Sequence, residues 1–213
     1  MKFKPLEPSD YARLKPFFAR QPYRLSIYSL LSLIAWSDCQ YQTNYALDGN
    51  TLILGSESPA NPDDRYLILP LSDSERFTPE RLYDLAADLG FRSYRFVSGD
   101  YLETVAPQKA ERHFEIAEQP EYEDYVYSTE DLARLRGNRY ARKRNLIHQF
   151  TRDCLLPGRA EVTDLSMDCV GECLVFLEQW CAQRNCSIES DENLACERRA
   201  VIRALRHFDT IEG

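Results

Sequence analysis

Of 213 residues only three are histidine, at positions 113, 148 and 207, and they form no motif with one another or with a serine or cysteine. No Ser-His-Asp set, glycine-rich nucleotide fold or carboxylate metal cluster can be read from the string, so no base, nucleophile or metal ligand can be named from it. The seven cysteines, at 39, 154, 169, 173, 181, 186 and 196, include no CxxC pair and have no histidines at zinc spacing. They read as free thiols. The start, MKFKPLEPSDYARLKPF, lacks the apolar core of a signal peptide, and no segment approaches the roughly 18 uninterrupted apolar residues of a membrane span. A soluble, cytoplasmic chain is the expectation. No internal repeat stands out.

What the chain has is 44% hydrophobic residues, enough apolar content for a real core, and a net charge of −8, which with no known reader motif argues against sequence-specific nucleic-acid binding. The charge is unevenly placed. Glu115 to Asp131 holds seven acids and no base, whereas Arg134 to Arg152 holds seven Lys or Arg residues and no acid. Local charges within about 10 Å set the field at a site, so this basic stretch can attract phosphate or carboxylate in an acidic protein. A solvated helix face accounts for the same pattern.

The order of elements is mixed α/β. Ile27, Leu30, Leu31 and Ile34 suggest a helix; TLILG at 51–55 and YLILPL at 66–71 suggest strands separated by the polar loop SESPANPDD. Thr78-Pro79-Glu80 opens a helix carrying Leu82, Leu85, Ala86 and Leu89, and Gly90 closes it. FRSYRFV at 91–97 alternates like a strand, HFEIAEQ at 113–119 reads as another, and AEVTDL at 160–165 as a third. Val170 to Cys181 is expected to be a helix whose apolar face includes Cys173 and Cys181, with Cys169 beside it. Leu194, Val201, Ala204, Leu205 and Phe208 mark a final helix. The expected division is a domain over 1–150 and the start of a second over 151–213, which is small for an independent core. An exposed apolar face on the 170–208 helices would favour a homodimer.

In the basic stretch, a helix over 138–150 at about 100° per residue puts Tyr140, Leu146, Ile147 and Phe150 on one apolar face. Arg139 and Lys143 fall within that arc, Arg142 at its edge and Arg144 on the far flank. A Lys on a packing face must reach water or a partner, so Lys143 and Arg144 are candidates for internal ion pairs with acids such as Asp124 and Asp131. The alternative is a phosphate-facing patch of Arg139, Arg142, Lys143, Arg144 and Asn145, suited to a tRNA acceptor end, a nucleotide or an anionic lipid headgroup. Tyr122, Tyr125, Tyr127 and Tyr140 are candidates for stacking on bases or for core-edge packing.

The string Asp124-Tyr125-Val126-Tyr127, Asp131-Leu132-Ala133, Leu135, Gly137, Lys143-Arg144-Asn145 and Phe150 resembles the signature of a bacterial family related to the C-terminal domain of phosphatidylglycerol lysyltransferase. SLLSLIAWSD at 29–38, YLILPL, Trp180 and Glu197-Arg198-Arg199-Ala200 are similar to its weaker features. The resemblance implies tandem acetyltransferase-like (GNAT-like) domains, a mixed sheet flanked by helices, with the second domain incomplete in this chain. It implies acyl or aminoacyl transfer from acyl-CoA or aminoacyl-tRNA to an amine or a lipid headgroup. No other cofactor and no metal is implied, the catalytic residues stay unassigned, and the incomplete second domain suggests an inactive portion. A non-catalytic scaffold of the same fold is the competing expectation. Arg134-Leu-Arg-Gly137-Asn-Arg139 partly matches the R-x-x-G-x-G/A pyrophosphate loop of acetyltransferases, with Arg139 in place of the last small residue.

Overall fold

The computed structural model describes residues 1–73, 76–186 and 191–211. They form two compact units, one of residues 1–122 and 167–213, the other of residues 123–166. The fold is mixed α/β.

The larger unit starts with a short strand β1 (Lys4–Pro5) and helices α1 (Tyr11–Ala19) and α2 (Leu30–Trp36). Ser29 caps α2 by accepting from the Ser32 amide. Strands β2 (Gln42–Asp48), β3 (Thr51–Ser58) and β4 (Asn61–Leu67) follow as an antiparallel meander, and β1 pairs with β2. A short β5 (Leu71–Ser72) pairs with β3 beyond the end of β4. The expected YLILPL strand is thus interrupted at Pro70, which has no N–H to give to the ladder. The meander also extends well into SESPANPDD, which pairs as a hairpin rather than forming a loop.

Helix α3 (Pro79–Leu89) is the element the sequence specified most fully. Thr78 accepts from the Arg81 amide, proline occupies the first turn, and Gly90 ends the helix at φ +72°. The chain then returns beside β4. Leu67 N donates to Ser93 O (3.0 Å) and Arg95 N to Leu67 O (2.9 Å), a single parallel bridge between Leu67 and Tyr94. β4, α3 and this returning segment make a crossover of the kind that parallel pairing requires. The expected strand at 91–97 is reduced to that bridge, because Phe96 turns away at φ +57°. The segment at 113–119 is irregular and not a strand. Helices α4 (Gly99–Val105) and α5 (Pro107–Ala110) close this part.

The smaller unit carries α6 (Thr129–Arg134) and α7 (Ala141–Phe150), the latter entered through a 3-10 turn at Asn138–Tyr140 and continued by a π-helical turn over Thr151–Leu155. The AEVTDL strand expected at 160–165 is irregular chain. Helices α8 (Val170–Arg184) and α9 (Glu192–Arg206) belong to the larger unit, where α9 packs on both α2 and α8.

The core lies between the sheet and helices α1 to α3. Leu6, Leu14, Ile34, Tyr45, Leu52, Leu54, Leu69 and Leu71 are fully buried there, and Ile211 joins them. Cys39 and Cys196 form a disulfide, which corrects the expectation that every cysteine is a free thiol; Cys154, Cys173, Cys181 and Cys186 are free. Two positions 157 residues apart give no sequence cue to their pairing.

Candidate functional site

Unit 123–166 contains all five residues expected to bind phosphate, and its geometry divides them. Helix α6 is capped at Ser128, which accepts from the Asp131 amide, and it stops at Leu135 in the left-handed region (φ +48°). Gly137 follows at φ +86°, where a side chain would be strained, and the chain reverses into α7. Just past the end of α6, one nitrogen of the Arg144 guanidinium donates to the Leu135 carbonyl and, at 2.8 Å, to the Gly137 carbonyl. Arg139 pairs with Asp131 and lies over the buried Tyr140 ring, 4.7 Å from its centroid. These two arginines therefore hold the α6–α7 turn.

The expected ion pairing is corrected in detail. The carboxylate of Asp131 goes to Arg139, not to Lys143 or Arg144, and Arg144 meets carbonyls in place of an acid. Lys143 needs no buried partner, because the arc that contains it is not a packing face. Leu146, Ile147 and Phe150 are 56%, 52% and 44% exposed. Arg142, Lys143 and Asn145 are exposed on the same helix, and the two cations have no ion pair or side-chain hydrogen bond among the described residues. The turn that partly matches a pyrophosphate loop collects a guanidinium on its carbonyls, so its polarity suits a cation better than a phosphate.

The tyrosines divide as well. Tyr125 and Tyr127 are exposed and Tyr140 is buried, while Tyr122, in the larger unit, packs edge-on against Phe96.

The larger unit holds polar groupings that hydropathy did not reveal. Arg95 pairs with Asp64 (2.6 Å), donates to the Tyr41 hydroxyl (2.9 Å) and lies 4.6 Å from the Tyr66 ring centroid. Tyr41 in turn donates to Asp64 at 2.7 Å. That hydrogen bond is the largest influence on the Asp64 carboxyl; burial opposes it and the Arg95 contact supports it, which leaves the group below its usual range. Burial pushes Tyr66 up to about 12. Each charge here has its partner, which marks a structural network.

Tyr28 occupies the place where β4 and the returning segment diverge. Its buried hydroxyl accepts from Leu69 N and donates to Phe96 O, both at 3.2 Å. Burial raises its pKa strongly, so it remains a neutral phenol. Diverging strands leave backbone donors and acceptors that an extended ligand could use; here a side chain takes them. Separately, a cavity of about 300 Å³ lies between the β2–β3 turn and α3, lined by Asp48, Asn50, Thr51, Ile53, Phe77, Arg81 and Leu85. No group of three or more metal-binding side chains occurs among the described residues.

The family model for the phosphatidylglycerol lysyltransferase C-terminal domain matches residues 28–213. The chain belongs to that family. The match takes in α2, the whole meander, α3 and the α6–α7 turn, so the lysyltransferase-like domain includes both compact units. Neither the curated proteins nor the solved structures provide a match to this lysyltransferase-family chain. No described helix is long and apolar enough to cross a membrane.

Proposed function

We propose that this chain is the lipid-engaging part of a GNAT-like aminoacyltransferase, with the exposed face of α7 taking the anionic headgroup of the acceptor. The observation that carries the reading is the pairing on one short helix of unpartnered Arg142 and Lys143 with exposed Leu146, Ile147 and Phe150. Cations beside large apolar side chains match the boundary of an anionic lipid layer, where each Lys or Arg contributes about 1 kcal/mol. The β4–α3 crossover with its parallel bridge supports the GNAT-like part of the reading. On this reading residues 1–150 are a first GNAT-like domain and 151–213 belong to a second, whose helices α8 and α9 share one compact unit with the sheet of the first.

In the transfer, the acceptor hydroxyl oxygen bonds to the carbonyl carbon of the donor ester, the bond to the tRNA ribose oxygen breaks, and the hydroxyl proton ends on that oxygen. Backbone amides suffice to stabilise the oxyanion, which fits a chain without a legible catalytic set. An acyl-CoA donor would follow the same course with sulfur leaving. The test is co-sedimentation with phosphatidylglycerol and with phosphatidylcholine vesicles. The proposal requires salt-sensitive binding to the first only. Equal binding to both, or to neither, overturns it, and saturable binding of aminoacyl-tRNA lost on changing Arg142 and Lys143 would reassign the patch to the donor.

A scaffold role for the larger unit has one observation in its favour, the Tyr28 hydroxyl that occupies both backbone groups between the diverging strands. The first GNAT-like domain would then brace the site without binding a donor. Acyl-CoA binding that survives Tyr28→Phe without gaining affinity would argue against that role.

A further inference from the structure

Cys39 and Cys196 join the loop after α2 to the first half of α9, and their surroundings differ. Cys196 is 3% exposed, on a stretch of α9 where Ala195 and Ala200 are also buried, whereas Cys39 is partly open to solvent. Arg199, one turn along α9, directs its guanidinium at the Cys39 sulfur at 3.8 Å. The neighbouring Arg203 is already committed to Glu7 (3.0 Å) and Asp38 (3.2 Å), so the acids beside the bond are held by a different cation. Asp38, at φ +84°, turns the chain so that Cys39 meets α9.

We propose that Cys39 is a thiol–disulfide exchange site, the entry point through which a low-molecular-weight disulfide closes and a thiol reopens the clip between α2 and α9. Attack requires a thiolate, and a guanidinium beside an accessible sulfur favours it. The Cys39 thiolate attacks the oxidant RSSR, forming Cys39–S–S–R and releasing RS⁻, which takes up the proton lost from Cys39. Cys196 then attacks the Cys39 sulfur, the S–S bond of the mixed disulfide breaks, and the second RS⁻ so released takes the Cys196 proton. One disulfide is reduced to two thiols while two protein thiols are oxidised to one bond. Access decides the order, because an external sulfur reaches Cys39 and not Cys196.

The other thiols do not offer this arrangement. Burial pushes Cys181 up to about 11, with Cys186 beside it adding to the shift, which makes the Cys181 thiol a poor attacker. When the clip opens, the ion pairs of Arg203 and the buried Ile211 still tie the end of the chain to the larger unit. Reduction should therefore loosen α9 without unfolding the core.

The test treats the reduced full chain with oxidised glutathione, quenches with acid and maps adducts by mass spectrometry. Wild type should form the Cys39–Cys196 bond with no lasting adduct. Cys196→Ser should accumulate glutathione on Cys39, and Cys39→Ser should modify Cys196 at least about tenfold more slowly, given its burial and the absent guanidinium contact. Arg199→Ala should slow the Cys39 reaction and Arg199→Lys restore part of the rate. Equal rates at the two cysteines, no adduct on Cys39 in Cys196→Ser, or Cys39 and Cys196 both alkylated by iodoacetamide in wild type after glutathione treatment would overturn the proposal. The wild-type alkylation pattern keeps the test decisive even if a variant folds poorly.

Discussion

Replacing Arg144 by alanine removes the side-chain hydrogen bonds that tie down the turn between α6 and α7. The Arg144 guanidinium makes two hydrogen bonds to carbonyls, one part-buried at Leu135 and one exposed at Gly137. Hydrogen bonds involving a charged group are worth about 1.5–3 kcal/mol when buried, and exposure reduces that sharply. Together they should amount to about 2 kcal/mol for the α6–α7 turn, which corresponds to roughly a 30-fold rise in local opening. Hydrogen exchange read by mass spectrometry should therefore speed up across 129–144 while the sheet at 42–67 keeps its protection. Arg144→Lys should recover part of the loss, because both bonds leave one guanidinium nitrogen and an ammonium carries enough donors for them, on a shorter stem. Arg142→Ala, two residues away and without a partner, should stay within about 0.5 kcal/mol of wild type. Unchanged exchange in Arg144→Ala, or an equal loss in Arg142→Ala, would refute the division between holding and free cations.

Tyr28→Phe should lower stability by about 2–3 kcal/mol, since it strands the Leu69 N–H and the Phe96 carbonyl in a buried place; urea unfolding followed by tyrosine fluorescence checks it. Gly55→Ala should cost about 1–3 kcal/mol in the same assay, because a methyl group there would sit 2.9 Å from the Phe91 ring on a packed sheet. The Asp64 carboxyl has its pKa depressed in the fold, so its contribution is present above the unfolded value of 3.8 and is lost as pH falls through the lower folded value. Asp64→Asn should accordingly flatten the acid end of a stability-against-pH curve and leave its slope near neutral pH unchanged. Arg142→Ala combined with Lys143→Ala should weaken binding to phosphatidylglycerol vesicles by about 2 kcal/mol, near 30-fold, with no change in melting temperature.

The parts of the fold that were legible are those in which local chemistry and burial agree. Helix α3 was read from cap to stop because Thr78, Pro79 and Gly90 each favour the geometry they adopt. Strand β2 escaped because its buried positions include Thr43 and Asn44, whose polar atoms find Ser37, Ser56 and Glu57. A strand satisfied by side-chain partners does not look apolar. The segments at 91–97, 113–119 and 160–165 were read as strands without the neighbour a strand needs; among the described residues 91–97 makes one bridge, Leu67 to Tyr94, and the other two make none.

The basic helix was placed correctly and its roles only in part. Helical angles put Lys143 among apolar residues, yet whether an apolar arc is buried depends on what packs against it, which a helical wheel does not contain. Arg144 was assigned a carboxylate because carbonyl acceptors leave no mark in a sequence. Tyr28, Arg95 and the Cys39–Cys196 bond join positions far apart in the chain, and no local pattern announces such pairings.

The central claim is that the exposed face of α7 meets an anionic lipid surface, and hydrogen exchange of the full chain with and without phosphatidylglycerol vesicles tests it most directly. The account predicts slowed exchange concentrated at 141–150, abolished when Arg142 and Lys143 are both alanine and absent with phosphatidylcholine. Protection confined to other segments, or protection of α7 that persists in the double variant, would contradict it.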